Sequence, residues 1–319
     1  MVNWGIIGAG NIAHRFAKSL EHVEGAHLYA VARRTIKKAK EFQSVHPCDK
    51  VYDDYQALID EEKVEAVYIA LPHKFHLEWV EKSLKAKKAV LCEKPATMNL
   101  QEMELIQALA KEKKVFFMEA MKSRFTRAYQ AVKQHIEEGD IGQLQHITTS
   151  LCRVFPEDRA SYHYEVGQGG CLLDMGVYNI ALIEDYTKEP WVIENLEFEL
   201  TDDGVETYVN AQLSANQISA TIESAFDRST ETVAIFQGSK GNIRLYDFHR
   251  PTAYDLEIDH KAKQNIQLVH EVDDFYGEIS HVMDCLANNR LESTVMSMDN
   301  SVNVAGIMEE IKHAINNIR

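Results

Sequence analysis

The sequence predicts an α/β domain followed by an α+β domain: a doubly wound parallel sheet over residues 1–120, then an open, mostly antiparallel sheet with helices on one face over residues 121–319. Three observations carry this reading. At roughly 100–200 residues per domain, a chain of 319 residues has room for about two. Its first 120 residues alternate short apolar runs with amphipathic stretches, the rhythm of successive βαβ units. After Glu119 that rhythm gives way to strand-like alternation punctuated by turns.

In the first half, residues 4–7, 27–32, 66–70, 89–92 and 115–118 are short and apolar, as strands buried on both faces should be. Residues 13–20, 75–85 and 101–111 show helical periodicity between them. Asn99, three residues before Glu102, marks a helix start, because its side chain can cap free amides. In the second half, residues 145–152, 194–200, 209–213, 218–224, 232–236 and 242–245 alternate as strands do, with turns at Asp202-Asp203-Gly204 and Gly238-Ser239-Lys240-Gly241. One helical segment, residues 171–185, interrupts them, and two more, residues 274–287 and 299–318, close the chain.

Composition removes several classes of function. The net charge of −15, from 34 basic and 49 acidic residues, repels phosphate backbones and anionic membranes, so neither nucleic acid nor a membrane surface is expected as a partner. No uncharged apolar run approaches the roughly 20 residues that span a bilayer. Cys48, Cys92, Cys152, Cys171 and Cys285 are irregularly spaced and contain no CxxC pair, which suits a reducing cytoplasm and argues against zinc. Glu278 and His281 stand three apart on a helix without a third ligand or an HExxH string, so they read as a polar contact and no metal is expected.

Gly8-Ala9-Gly10-Asn11-Ile12-Ala13 follows the first strand and opens into a helix. The first glycine permits a tight turn, the second lets a pyrophosphate approach the backbone, and Ala13 takes the small position where helix meets strand. Free amides at the helix start then face the anion. This is the Rossmann dinucleotide fingerprint. The second strand ends in Arg33-Arg34, where an NAD-preferring site would carry an acidic residue; guanidinium groups suit a 2′-phosphate, so NADP is the expected cofactor, with NAD the alternative.

The strand at residues 89–92 ends in Glu93-Lys94-Pro95, which puts Lys94 at the carboxyl edge of the sheet, where ligands bind. Gly169-Gly170 opens a helix on which Asp174 and Tyr178 stand four apart, on one face of one turn. With these residues the sequence resembles the Gfo/Idh/MocA oxidoreductase family over nearly its whole length. The resemblance rests on Gly8 to Ala13, on Tyr68-Ile69-Ala70-Leu71-Pro72 with His76, on Glu93-Lys94-Pro95, on Gly142, and on the segment from Gly169 to Tyr178. Tyr178 stands where inositol-dehydrogenase-like members usually carry histidine, a feature similar to the branch of dimeric dihydrodiol dehydrogenases and NADP-dependent xylose dehydrogenases.

The resemblance implies hydride transfer between nicotinamide C4 and a secondary alcohol or carbonyl of a sugar, polyol or trans-dihydrodiol. It makes Tyr178 the acid/base, Lys94 its cationic helper and the group that polarises the substrate oxygen, and Asp174 an orienting carboxylate. Gly8, Ala9, Gly10, Asn11, Ile12, Arg33, Arg34, Leu71, Pro72, His76, Glu93 and Lys94 would then hold the cofactor, and Lys122, Arg124 and Arg159 are candidate substrate residues. Dihydrodiol-dehydrogenase-like members tend to carry an aromatic residue where this chain has Lys122, and a lysine suits hydroxyls or an acidic group. Lys87 ends a helix where relatives often have glycine. An open antiparallel sheet with one apolar face needs covering, so a homodimer through that face of the second domain is expected. A cofactor-binding sensor without turnover and a scaffold are the alternative readings, and the combined presence of Lys94, Asp174 and Tyr178 separates an enzyme from both.

Overall fold

The computed structural model describes residues 1–155 and 161–318, which form two compact units. The first holds Met1–Met121 and Glu271–Val302, and the second holds Lys122–His270 and Asn303–Arg319.

In the first unit, β1 (Val2–Ile7), α1 (Asn11–Leu20), β2 (Ala26–Ala32), α2 (Ile36–Val45), β3 (Lys50–Tyr52), α3 (Tyr55–Ile59), β4 (Ala66–Ile69), α4 (His76–Lys85), β5 (Ala89–Glu93), α5 (Leu100–Lys113) and β6 (Phe117–Ala120) follow one another. The strands form one parallel sheet in the order β3-β2-β1-β4-β5-β6. Its order reverses between β1 and β4, and a cleft at that switch point is where doubly wound sheets bind ligands. The core there is aromatic: Trp4 lies 5.6 Å from Phe16, whose ring stacks on Tyr68 at 3.8 Å. Asn99 caps α5 as expected, accepting from the Glu102 amide at 2.9 Å, while the Glu102 carboxylate accepts from the Met98 amide. The sixth strand begins two residues later than the apolar run at 115–118. Lys114 ends α5 in the left-handed region (φ 55°), and the Val115 amide closes the helix on Ala110 O at 3.1 Å.

Residues 271–302 return to this unit through contacts remote in sequence. Ser19 Oγ donates to Asp273 at 2.7 Å, Arg15 pairs with Asp274, and Trp4 Nε1 donates to Met283 Sδ at 3.5 Å.

α4 reverses at Lys87, which is exposed and sits at φ 60° where an L side chain is strained. Lys87→Gly is therefore expected to raise stability by about 0.5–1 kcal/mol, since relieved strain exceeds the added unfolded-chain entropy. That is a gain of roughly 2 °C in Tm for a domain of this size. A calorimetric Tm at or below that of the parent would contradict it.

In the second unit, α6 (Arg127–Glu137), β7 (Leu144–Cys152), a π-helical turn (Leu172–Gly176), α7 (Val177–Glu184), β8 (Val192–Leu200), β9 (Glu206–Ala215), β10 (Ile218–Ala225), β11 (Val233–Gly238), β12 (Gly241–Tyr246), β13 (Ala253–Ile258) and β14 (Gln264–Gln267) follow in order. The sheet order is β14-β13-β12-β11-β7-β10-β9-β8, antiparallel except between β7 and β10. Ile147, Leu151, Val209, Leu213, Ile222, Phe236 and Leu245 are buried on the helix-covered face. The other face carries His146, Thr148, Ser150, Asn210, Gln212, Thr221, Glu223 and Arg244, a polar surface rather than an apolar one. Glu194, Glu197 and Glu199 on β8 charge one sheet edge, a common guard against strand addition. α8 (Tyr276–Ala287) lies in the residues that rejoin the first unit, and α9 (Met298–Ile318) follows it. The expected fold class holds: a parallel Rossmann sheet with flanking helices, then a mostly antiparallel sheet with helices on one face. No helix among the described residues is long and apolar enough to cross a membrane.

Candidate active site

In the first unit, β1 delivers Gly8 to the carboxyl edge of the sheet. Gly8 adopts φ +97°, and a Cβ there would stand 2.4 Å from Ala70 O and 2.8 Å from Leu71 Cδ2. Glycine is thus required both for the turn and for the close pass of β4's end. Gly10 is the N-cap of α1 without any side-chain cap, and a Cβ built on it would meet no heavy atom within 4 Å. Uncapped amides facing open space fit a dinucleotide pyrophosphate. Ala9 and Ala13 are buried beneath the turn, Ile12 is half-buried and Asn11 exposed.

Arg33 folds back on this turn and donates to Ala9 O. Arg34 next to it is exposed. The two arginines thus differ: the first braces the glycine turn, and the second extends from the same strand end.

Lys94 directly follows β5, with a cis peptide bond to Pro95. Its surroundings are held by neighbours from three strands. Tyr68 OH donates to Glu93, the Lys94 amide donates to Glu93 Oε2 at 3.3 Å, and the Ala96 amide donates to the buried Glu119 carboxylate at 2.8 Å. His76, fully buried at the start of α4, places Nδ1 2.9 Å from Pro95 O and Nε2 2.8 Å from Leu71 O. Burial pulls its pKa down, the two carbonyls pull it up, and the Lys94 ammonium again pulls it down, for a net lowering. A neutral imidazole has one N–H, so it donates to one of these two carbonyls at a time, Leu71 O after β4 or Pro95 O after β5. Burial, with Glu119 and Glu93 nearby, pushes the Cys92 thiol well up, which keeps it from acting as a thiolate.

In the second unit, Gly170 (φ +109°) would bring a Cβ within 2.1 Å of Glu206 Oε2, and a Cβ on Gly169 would meet His163 O at 2.3 Å. These glycines let the chain enter the π-helical turn. The regular α-turn expected under Asp174 is therefore a π turn, which leads into the wholly buried α7. Single π turns are frequent at functional sites. Tyr178 is buried and meets His249 edge-on at 5.9 Å, while Arg153 pairs with His249 at 3.0 Å. Asn179 Nδ2 donates to Glu223 O at 2.9 Å and pins α7 to β10. Asp174 Oδ2 lies 3.8 Å from His163 Nε2.

Lys122 is buried at the turn Lys122–Phe125. Arg124, fully buried, donates to Ala181 O, pairs with Glu184 at 2.7 Å and lies 3.7 Å from Asp185. Burial disfavours its charge, yet Asp185, Tyr129 and Glu184 outweigh this and hold its pKa above the ordinary value. Arg159 lies outside the described residues. In the first unit, Glu278 is buried, and His281 Nε2 lies 2.8 Å from Ser293 Oγ.

Sequence reasoning missed Glu119, His163 and His249. Glu119 is a buried carboxylate inside a strand, and the two histidines gain meaning only from partners far along the chain. A carboxylate in an otherwise apolar strand was the one available signal.

Glycine turn, switch point and uncapped helix define the class of a dinucleotide-binding Rossmann protein that carries a second, open-sheet unit. Residues 2–121 match the Gfo/Idh/MocA oxidoreductase family with an NAD-binding Rossmann fold, and residues 129–244 match the Gfo/Idh/MocA C-terminal domain. The chain belongs to this family. It is an oxidoreductase that uses NAD(P).

Among its relatives, a trans-1,2-dihydrobenzene-1,2-diol dehydrogenase of Bos taurus is 30% identical over 98% of this chain and 97% of its own. The scyllo-inositol 2-dehydrogenase (NADP(+)) of Bacillus subtilis (strain 168) is 28% identical over 98% and 96%. Among solved structures, the aldose-aldose oxidoreductase of Caulobacter crescentus superposes with a TM-score of 0.90 at 21% identity, covering 100% of this chain and 98% of that one. A 3-ketoreductase of Actinomadura kijaniata superposes at 0.88 with 24% identity over 98% and 97%. These two establish the fold.

Proposed function

We propose that this protein interconverts a secondary alcohol and its carbonyl on a sugar, polyol or trans-dihydrodiol, with NADP as the preferred cofactor. The observation that carries this is Lys94 at the carboxyl edge of the parallel sheet, with its backbone surroundings held by Glu93, Glu119 and His76. A lysine whose backbone is held at a ligand-binding edge suits stabilisation of a developing oxyanion. When bound, the nicotinamide supplies or accepts the hydride at C4. Tyr178 takes the hydroxyl proton in oxidation and returns it in reduction. Lys94 holds the substrate oxygen and favours the phenolate, and Asp174 orients Lys94 or a substrate hydroxyl. Residues 1–120 serve the cofactor and residues 121–319 the substrate and assembly. The names of the diol and inositol dehydrogenase relatives support the substrate class.

A panel of sugars, polyols and trans-diols, followed by absorbance at the nicotinamide band, tests the assignment. Tight NADPH binding with no turnover anywhere in the panel would favour a sensor instead.

For cofactor choice, Arg34 is exposed at the end of β2 and is the residue assigned to the 2′-phosphate, with Arg33 supporting the glycine turn. A charge-assisted bond to phosphate is worth about 1.5–3 kcal/mol, so Arg34→Ala is expected to weaken NADPH binding at least about tenfold and NADH binding less than about twofold. Calorimetric titration reads both, and equal affinity of the parent for NADH and NADPH would sink the assignment. A homodimer through the second unit's sheet is proposed with it; sedimentation velocity giving a monomer at micromolar concentration would refute that.

A further inference from the structure

The chain just before the Gly169–Gly170 entry aims one further ionisable side chain at Asp174. His163 lies in the turn Tyr162–Tyr164, with Nε2 3.8 Å from Asp174 Oδ2. Its ring is held on several sides. It stacks on Tyr162 at 4.0 Å, Phe155 stands 5.2 Å away, and Phe226 meets it edge-on at 6.0 Å. Its carbonyl accepts from the Gly170 amide at 2.9 Å, so the residue is tied directly to the turn that carries Asp174.

Ser161 meets the ring at Nδ1. Its Oγ accepts from the His163 amide at 3.4 Å and lies 2.7 Å from Nδ1. With one lone pair on the amide, the hydroxyl can give its proton to Nδ1, and in that tautomer the ring N–H sits on Nε2, facing the carboxylate. The 3.8 Å separation is longer than a hydrogen bond, and catalytic contacts of this kind commonly tighten only in the substrate complex. A solvated surface histidine would show none of this bracing: His163 and Asp174 keep only 20% and 17% of their side-chain surface exposed.

We propose that His163 is a positioning residue that acts through Asp174: Nε2–H fixes the carboxylate so that one oxygen is presented to its partner in the reaction. This rests on the role given to Asp174 above. His163→Phe keeps a ring to stack on Tyr162 and deletes both nitrogens, whereas His163→Gln keeps an N–H donor near the place of Nε2.

The expected result has three parts. His163→Phe lowers kcat about tenfold or more, with Tm and the Kd for NADPH unchanged, and His163→Gln recovers most of the loss. In an Asp174→Asn background, His163→Phe has no further effect. In the protein without substrate, the Asp174 carboxyl carbon resonance, assigned by its disappearance in Asp174→Asn, moves in His163→Phe.

An unmoved resonance overturns the proposal, as does an unchanged kcat or a loss equally large in the Asp174→Asn background. If Asp174→Asn alone turns over at the parent rate, it is the catalytic role of Asp174 that fails. The resonance then decides by itself whether His163 holds that carboxylate.

Discussion

Tyr178→Phe is expected to lower kcat by about 10²–10⁴-fold, the usual contribution of a positioned acid or base, or roughly 3–5 kcal/mol of barrier. The change deletes one oxygen and leaves the ring, so the edge-on contact with His249 at 5.9 Å and the buried seat in α7 are retained. The loss should therefore fall on the chemical step and leave NADPH binding and Tm close to those of the parent. Lys94→Ala should act in the same direction if, as proposed, its ammonium polarises the substrate oxygen. Residues acting as one unit are not additive, so the double variant should be little worse than the more damaging single one. Single-turnover absorbance at the nicotinamide band separates chemistry from cofactor release. Turnover within about threefold of the parent in both variants would remove Tyr178 from the mechanism.

Which parts of this machinery could be read from sequence depends on whether the chemistry is local. The glycine turn from Gly8 to Ala13 and the tripeptide Glu93-Lys94-Pro95 are contiguous, because a tight turn and the end of a strand are contiguous objects. The helix start at Asn99 was legible for the same reason: its partner, Glu102, is three residues away. β3 has only three residues, too few for a period to show. β13 escaped because it carries Asp255, a buried carboxylate that β-strand patterning would exclude. Tyr246 and Asn265 donate to it at 2.6 and 2.7 Å, which pulls its pKa down to about 2, and neither partner is adjacent in sequence. The return of residues 271–302 to the first unit depends on Arg15 with Asp274 and Ser19 with Asp273, ion pairs and hydrogen bonds that no local periodicity encodes. The π turn under Asp174 is of the same kind where it packs on β10: a Cβ on Gly176 would stand 3.3 Å from Ser224 Oγ, and Cys171 Sγ donates to Ser224 O at 3.4 Å.

Arg124→Ala should be strongly destabilising, by about 3–5 kcal/mol, which is of order 10 °C in Tm. The fully buried guanidinium serves three acceptors at once, Ala181 O, Glu184 and Asp185, and its loss leaves two carboxylates with less than a tenth of their side-chain surface exposed. Asn303 still reaches Glu184 at 3.0 Å, and Lys133 still reaches Asp185 at 2.8 Å, so the penalty concentrates on Glu184, which keeps only a neutral donor among the contacts described. Arg124→Lys should recover only part of the loss, because one ammonium cannot reproduce a planar fork directed at three acceptors. Combining Arg124→Met with Glu184→Gln should cost less than Arg124→Ala, since it removes the stranded charge together with its partner. The same series decides whether Arg124 contacts substrate, as the sequence suggests, or braces the unit that encloses it. If it braces the second unit, the folded fraction of Arg124→Lys keeps the parent KM while Tm falls. If it contacts substrate, KM rises and Tm hardly moves. A guanidinium this deeply enclosed is already committed to acceptors of its own unit, and the expected outcome is the fall in Tm.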